Sequence, residues 1–132
     1  MGQKQKAFIA QVEQHQEACY PAIAELGEGI EQLRRIDVQI AAANSLAAIN
    51  GLTLTRNPHF TTLLKARQDL KPHVEAYKRS VADLEAFVAK KAERADSKKK
   101  SLPIAQTFLS QCRGQLKDIQ KLLDDSLKVK TD

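Results

Sequence analysis

Apolar residues recur in alternating steps of three and four through most of this chain, and that rhythm leaves little choice of architecture. Phe60, Leu63, Arg67, Leu70, Val74, Tyr77, Val81, Leu84 and Val88 keep it without a slip. Leu102, Ala105, Leu109, Cys112, Leu116, Ile119 and Leu123 repeat it, and Phe8, Val12, His15, Cys19, Ile23, Leu26, Ile30 and Leu33 follow it with one doubled step of four, from His15 through Cys19 to Ile23. On a helix such positions form one stripe, and stripes held for several heptads bury themselves against one another at shallow crossing angles. The expected fold is all-α, an elongated antiparallel three- or four-helix bundle with coiled-coil-like packing, forming a single domain over residues 1–132.

Composition supports this reading. Ala (18), Leu (15) and Gln (12) lead the count, all good helix formers, while Leu, Ile, Val and Phe total 33, enough for one core. Sustained strand alternation is missing apart from Leu52-Thr53-Leu54-Thr55. No apolar run approaches the ~18 residues of a membrane span, and the first ten residues have no apolar signal region. A cytoplasmic protein is expected, with Cys19 and Cys112 reduced.

Punctuation sets the expected boundaries. Asn50-Gly51 reads as a helix end and Asn57-Pro58 as a cap followed by proline in the first turn. Asp96 to Lys100 is a polar break, after which Ser101 can cap the last helix. Helices are therefore expected over about 3–49, 58–95 and 102–128, with Leu52 and Leu54 tucked over the bundle end. The second should kink near Pro72 and continue, because the stripe keeps phase across it. At Pro21 two paths stay open. A reversal splits the first segment into helices 3–19 and 21–49 and gives a monomer. A continuous helix overhangs the bundle, exposes Phe8, Ile9 and Val12, and gives an oligomer.

Charge is uneven. Residues 1–55 carry a net −2, residues 56–100 a net +6, and the remainder +1. The excess ends in a basic patch of Lys90, Lys91, Arg94, Lys98, Lys99 and Lys100, which complements a helix dipole or attracts an anionic partner. A basic track along the middle helix includes Arg67, Lys71, Lys78 and Arg79. Acidic residues interrupt it, and its aromatics belong to the core stripe, so nucleic acid is possible but not favoured over a protein partner. Glu31 and Arg35 have the spacing of a helical ion pair.

Motifs for phosphate cradles, nucleophile elbows and zinc helices are missing, so no enzyme and no cofactor are expected. His15 and Cys19 are four apart and Cys112 lies on an inner stripe. Three such ligands without a fourth fall short of a structural zinc site, and ordinary core thiols are the simpler reading. The chain is expected to work as an adaptor, binding another protein, or itself, through helix grooves or through Phe8, Ile9 and Val12. The alternatives are a nucleic-acid accessory protein using the middle helix and Lys98 to Lys100, and a ligand- or metal-binding bundle.

Overall fold

A computed structural model describes residues 2–93 and 101–129 as three helices, α1 (Gln3–Ala42), α2 (Leu46–Glu93) and α3 (Leu102–Leu127). Among the described residues there is no strand, and the packing between helices is that of a bundle. Asp37 meets Arg56, Gly29 faces Leu63, Phe8 meets Phe87 and Gln5 meets Lys91. One residue number falls as the other rises, so α1 and α2 are antiparallel. Gln5 with Ser101 and Gln16 with Gln115 place α3 parallel to α1.

Burial follows the seven-residue rhythm closely. Gln5, Val12, Cys19, Leu26 and Leu33 on α1 are at most 1% exposed, and so are Leu63, Leu70, Tyr77 and Leu84 on α2. Arg56 and Lys91 extend the α2 series at its two ends, at 2% and 7%. Each fully buried leucine stabilises the fold by roughly 1.5–3 kcal/mol.

The helix boundaries differ from those expected. The first reversal comes at residues 43–45, so α1 ends seven residues before Ile49 and α2 starts twelve before Pro58. Ser45 makes the turn: its hydroxyl accepts the Ala48 backbone N–H at 3.1 Å, capping α2. Asn50-Gly51 and Asn57-Pro58 lie within α2, because neither blocks a helix there. Gly51 faces open space, and Pro58 is exposed, so the carbonyl its missing N–H leaves unpaired can take water. Thr53, Thr55, Thr61 and Thr62 donate their hydroxyls to the carbonyls four residues back, which fits β-branched residues into the helix. The expected linker carrying Leu52 and Leu54 is thus helical, with Leu54 exposed.

Pro21 does not reverse the chain, and helices 3–19 and 21–49 are replaced by a single α1. The chain nonetheless packs as two compact units that divide at Tyr20/Pro21, Leu70/Lys71 and Ile119/Gln120. Two of these divisions fall at or beside prolines, where a helix loses a backbone hydrogen bond.

The first unit takes the described residues of Met1–Tyr20 and Lys71–Ile119. Its core joins Val12 and Cys19 to Val74, Tyr77, Leu84, Leu109 and Cys112. The second takes the described residues of Pro21–Leu70 and Gln120–Asp132, with a core of Leu26, Leu33, Ile36, Leu63, Ala66 and Leu70. Gly29 faces Leu63 here, and a side-chain carbon at that position would make an ordinary contact 3.4 Å from the Leu63 methyl.

Candidate functional site

The N-terminal residues expected on a free face are inside the first unit. Val12 is completely buried, and Phe8 and Ile9 are half-buried. The Phe8 ring centre lies 5.0 Å from that of Phe87, tilted by 32°. The exposed overhang does not form, because α2 runs long enough for its Phe87 and Val88 turn to cover this stretch of α1.

The basic patch is also changed. Lys90 is exposed, but Lys91 is turned inward and donates to Gln5 Oε1 at 3.0 Å and to Ser101 Oγ. Gln5 in turn donates to the Ser101 carbonyl at 3.2 Å. This polar group ties all three helices together, and Lys91 is not available to a partner. Arg94, Lys98, Lys99 and Lys100 lie outside the described residues. Along the basic track Lys71 and Arg79 are exposed, and Lys78 is 3.8 Å from Glu75. Arg67 is half-buried, with its Nε buried and without a hydrogen-bond partner.

Cys19 and Cys112 are free and buried. The Cys19 thiol donates to the His15 carbonyl at 3.4 Å, as a thiol on an ordinary helix does. Burial pushes both thiols above their usual range, and it raises the Tyr77 phenol as well. Tyr77 donates to Gln115 Oε1 at 2.7 Å, the atom that also receives Gln16 Nε2 at 2.6 Å. Protonated thiols in an apolar core are poor nucleophiles and poor metal ligands. Among the described residues no three His, Cys, Asp or Glu side chains are grouped to hold a metal, and no helix is long and apolar enough to cross a membrane.

A concavity lies in the second unit, where sequence reading did not place a site. It is an open groove of about 690 Å³ between α1 and the end of α3. Ile30, Val38 and Leu122 supply apolar surface, with Val38 69% exposed. Gly27 opens the near wall. Glu31 accepts from Arg35 at 2.8 Å, as the i,i+4 spacing predicts, and Asp125 is 3.9 Å from Lys128. Arg34 also lines the groove, and among the described residues it makes no ion pair. A signal existed in Gly27, Ile30, Arg34 and Val38, which share a helical face flanking the buried stripe. Which neighbour they would meet depended on where α3 ends.

The lining combines apolar surface from Ile30, Val38 and Leu122 with the carboxylates of Glu31 and Asp125 and the guanidiniums of Arg34 and Arg35. Comparison with protein families, with curated proteins and with solved structures finds no match for this chain.

Proposed function

We propose that the chain is a non-enzymatic interaction protein that takes an amphipathic helix of a protein partner in the groove between α1 and α3. The observation that carries this reading is a groove whose apolar lining joins the buried Ile30, the half-buried Leu122 and the exposed Val38 beside Arg34, which pairs with no carboxylate among the described residues. A helix laid in a groove buries an apolar stripe, and one carboxylate facing Arg34 fixes its register. Burial of Lys91 weighs against the nucleic-acid alternative, because it takes a cation out of the basic patch. Two buried, unbridged cysteines suit a reducing compartment such as the cytoplasm.

Site-specific photo-crosslinking tests the proposal. A photoreactive residue at Val38 should give a discrete protein adduct, while one at the exposed Glu17 of the first unit should not. Arg34→Glu should remove the adduct. Equal labelling from both positions, or none from Val38, would overturn it.

A further inference from the structure

The apolar stripe of α3 does not by itself say where α3 lies along the α1–α2 pair. Moved by seven residues, it sets Leu109 in the seat of Leu102, Cys112 in that of Ala105, Leu116 in that of Leu109 and Ile119 in that of Cys112. Each exchange puts one apolar residue in place of another. The facing helix repeats at the same interval, with Val74, Val81 and Val88 all buried. The connection adds little constraint. Residues 94–101, eight in all between α2 and α3, can span roughly 26 Å, against about 10 Å for such a slip.

Two polar layers in the first unit have no such repeat. In one, Lys91 of α2 donates to Gln5 Oε1 of α1 at 3.0 Å and to Ser101 Oγ, just before α3, while Gln5 donates to the Ser101 carbonyl at 3.2 Å. In the other, Tyr77 of α2 donates to Gln115 Oε1 of α3 at 2.7 Å, and Gln16 of α1 donates to the same atom at 2.6 Å. Gln5, Tyr77 and Lys91 are at most 7% exposed, so water does not replace a lost partner. A slip of seven one way puts Leu122 in the seat of Gln115 and Phe108 in that of Ser101. The opposite slip puts Phe108 in the seat of Gln115. The Cys112 thiol, which also meets the Tyr77 hydroxyl, gives way to Ile119 or Ala105. None of these side chains accepts a hydrogen bond, so Tyr77 is stranded in both directions.

We infer that the two polar layers fix the register of α3 on the α1–α2 pair. Of the placements seven residues apart that apolar packing accepts, they leave one in which the buried Gln5, Tyr77 and Lys91 all find partners. A buried polar group adds little net stability, because water satisfied it in the unfolded chain, yet it penalises each arrangement that strands it. A single polar residue on an inner stripe sets the register of coiled coils in this way. Tyr77 and Lys91 are 14 residues apart, as are Ser101 and Gln115, so one slip misaligns both layers together.

Spin labels on Lys4→Cys and Lys117→Cys, at exposed positions of α1 and α3, test this by double electron–electron resonance, with the native thiols buried. A seven-residue slip changes the separation of the labels along the bundle by about 10 Å. With no other change the labelled chain should give one distance. Gln5→Leu with Tyr77→Phe and Lys91→Met removes the buried polar groups of α1 and α2, keeps their volume closely and leaves α3 untouched. This triple variant should keep its helicity by circular dichroism. It should also show a second distance, displaced by about 10 Å, in on the order of a tenth of molecules or more. Tyr77→Phe with Lys91→Met alone retains Gln5 against the Ser101 carbonyl and should show a smaller second population; if only the triple variant loses helicity, this double variant decides on the same terms. One distance in the helical variant would overturn the inference. So would two distances in the chain with both layers intact, or loss of helicity in both variants, which would make the layers a source of stability and not of register.

Discussion

Arg56 and Lys91 occupy equivalent places on α2, five heptads apart on its buried stripe, yet their charges are met in opposite ways. Arg56 in the second unit faces a carboxylate, Asp37, and its guanidinium carbon lies 5.7 Å from the centre of the Phe60 ring. Lys91 in the first unit is held by the amide oxygen of Gln5 and the hydroxyl of Ser101, both neutral. A guanidinium is weakly hydrated and stacks on a ring, so it tolerates this enclosure with one carboxylate at its edge. An ammonium is strongly hydrated and is stabilised here by hydrogen bonds to Gln5 and Ser101. The comparison teaches that a cation on an inner stripe can be an ion-paired anchor or part of a polar plug, and that the partner decides which.

The largest effect that should separate the two comes from Asp37→Ala. It leaves Arg56 buried without its carboxylate and should lower stability by about 2 kcal/mol, below the ~3–5 of a fully buried pair because Asp37 is half in water. Urea unfolding followed by circular dichroism measures it, and a loss below about 0.5 kcal/mol would mean Asp37 does little for Arg56. Lys91→Met should do much less. It keeps most of the volume and removes a charge that meets no carboxylate among the described residues, so the change should stay within about 1 kcal/mol of zero in the same assay. A loss as large as that of Asp37→Ala would erase the distinction.

Alkaline pH should separate the units more gently. The raised groups Cys19, Tyr77 and Cys112 all belong to the first unit. In the folded protein they keep their protons at pH values where the unfolded chain has begun to lose its own. The unfolded state then binds fewer protons, and stability falls as pH rises past the ordinary thiol range near about 8.5. Hydrogen exchange with mass spectrometry, corrected for the intrinsic rate, should show protection declining earlier in residues 71–90 than in residues 50–70. Cys112→Ala should shrink that decline, and equal behaviour of the two segments would remove this part of the contrast.

Much of the fold was legible because burial obeys the same period as the sequence. Every expected stripe residue from Leu63 to Val88 is buried except Arg67, which is half-buried and whose place Ala66 takes in the core. The helix ends were less legible, and for a local reason. Asn50-Gly51 and Asn57-Pro58 are strong breakers by residue type, whereas the true turn at Ala43-Asn44-Ser45 lies inside an alanine run with high helix propensity. Local preference lost to packing: Arg56, Leu63 and Leu70 keep the seven-residue step through the supposed linker once an arginine is admitted to the inner face. The candidate groove was invisible for a different reason. Its lining comes from α1 and the end of α3, and no pattern within α1 says where another helix stops.

The regular burial also restricts how the length of such a molecule can change. Gln5, Val12, Cys19, Leu26 and Leu33 recur at intervals of seven, as do the α2 positions from Arg56 to Lys91. Inserting one residue into either helix turns everything beyond it by about 100°, exchanging leucines for lysines on the inner face. Removing a block of seven from α1 together with one from α2, and one from α3 where it lies alongside, returns the inner side chains to equivalent seats. The turn at residues 43–45 is under no such rule, so extra residues there shift no register. Size in this architecture is therefore quantised along the helices and continuous only at the turn.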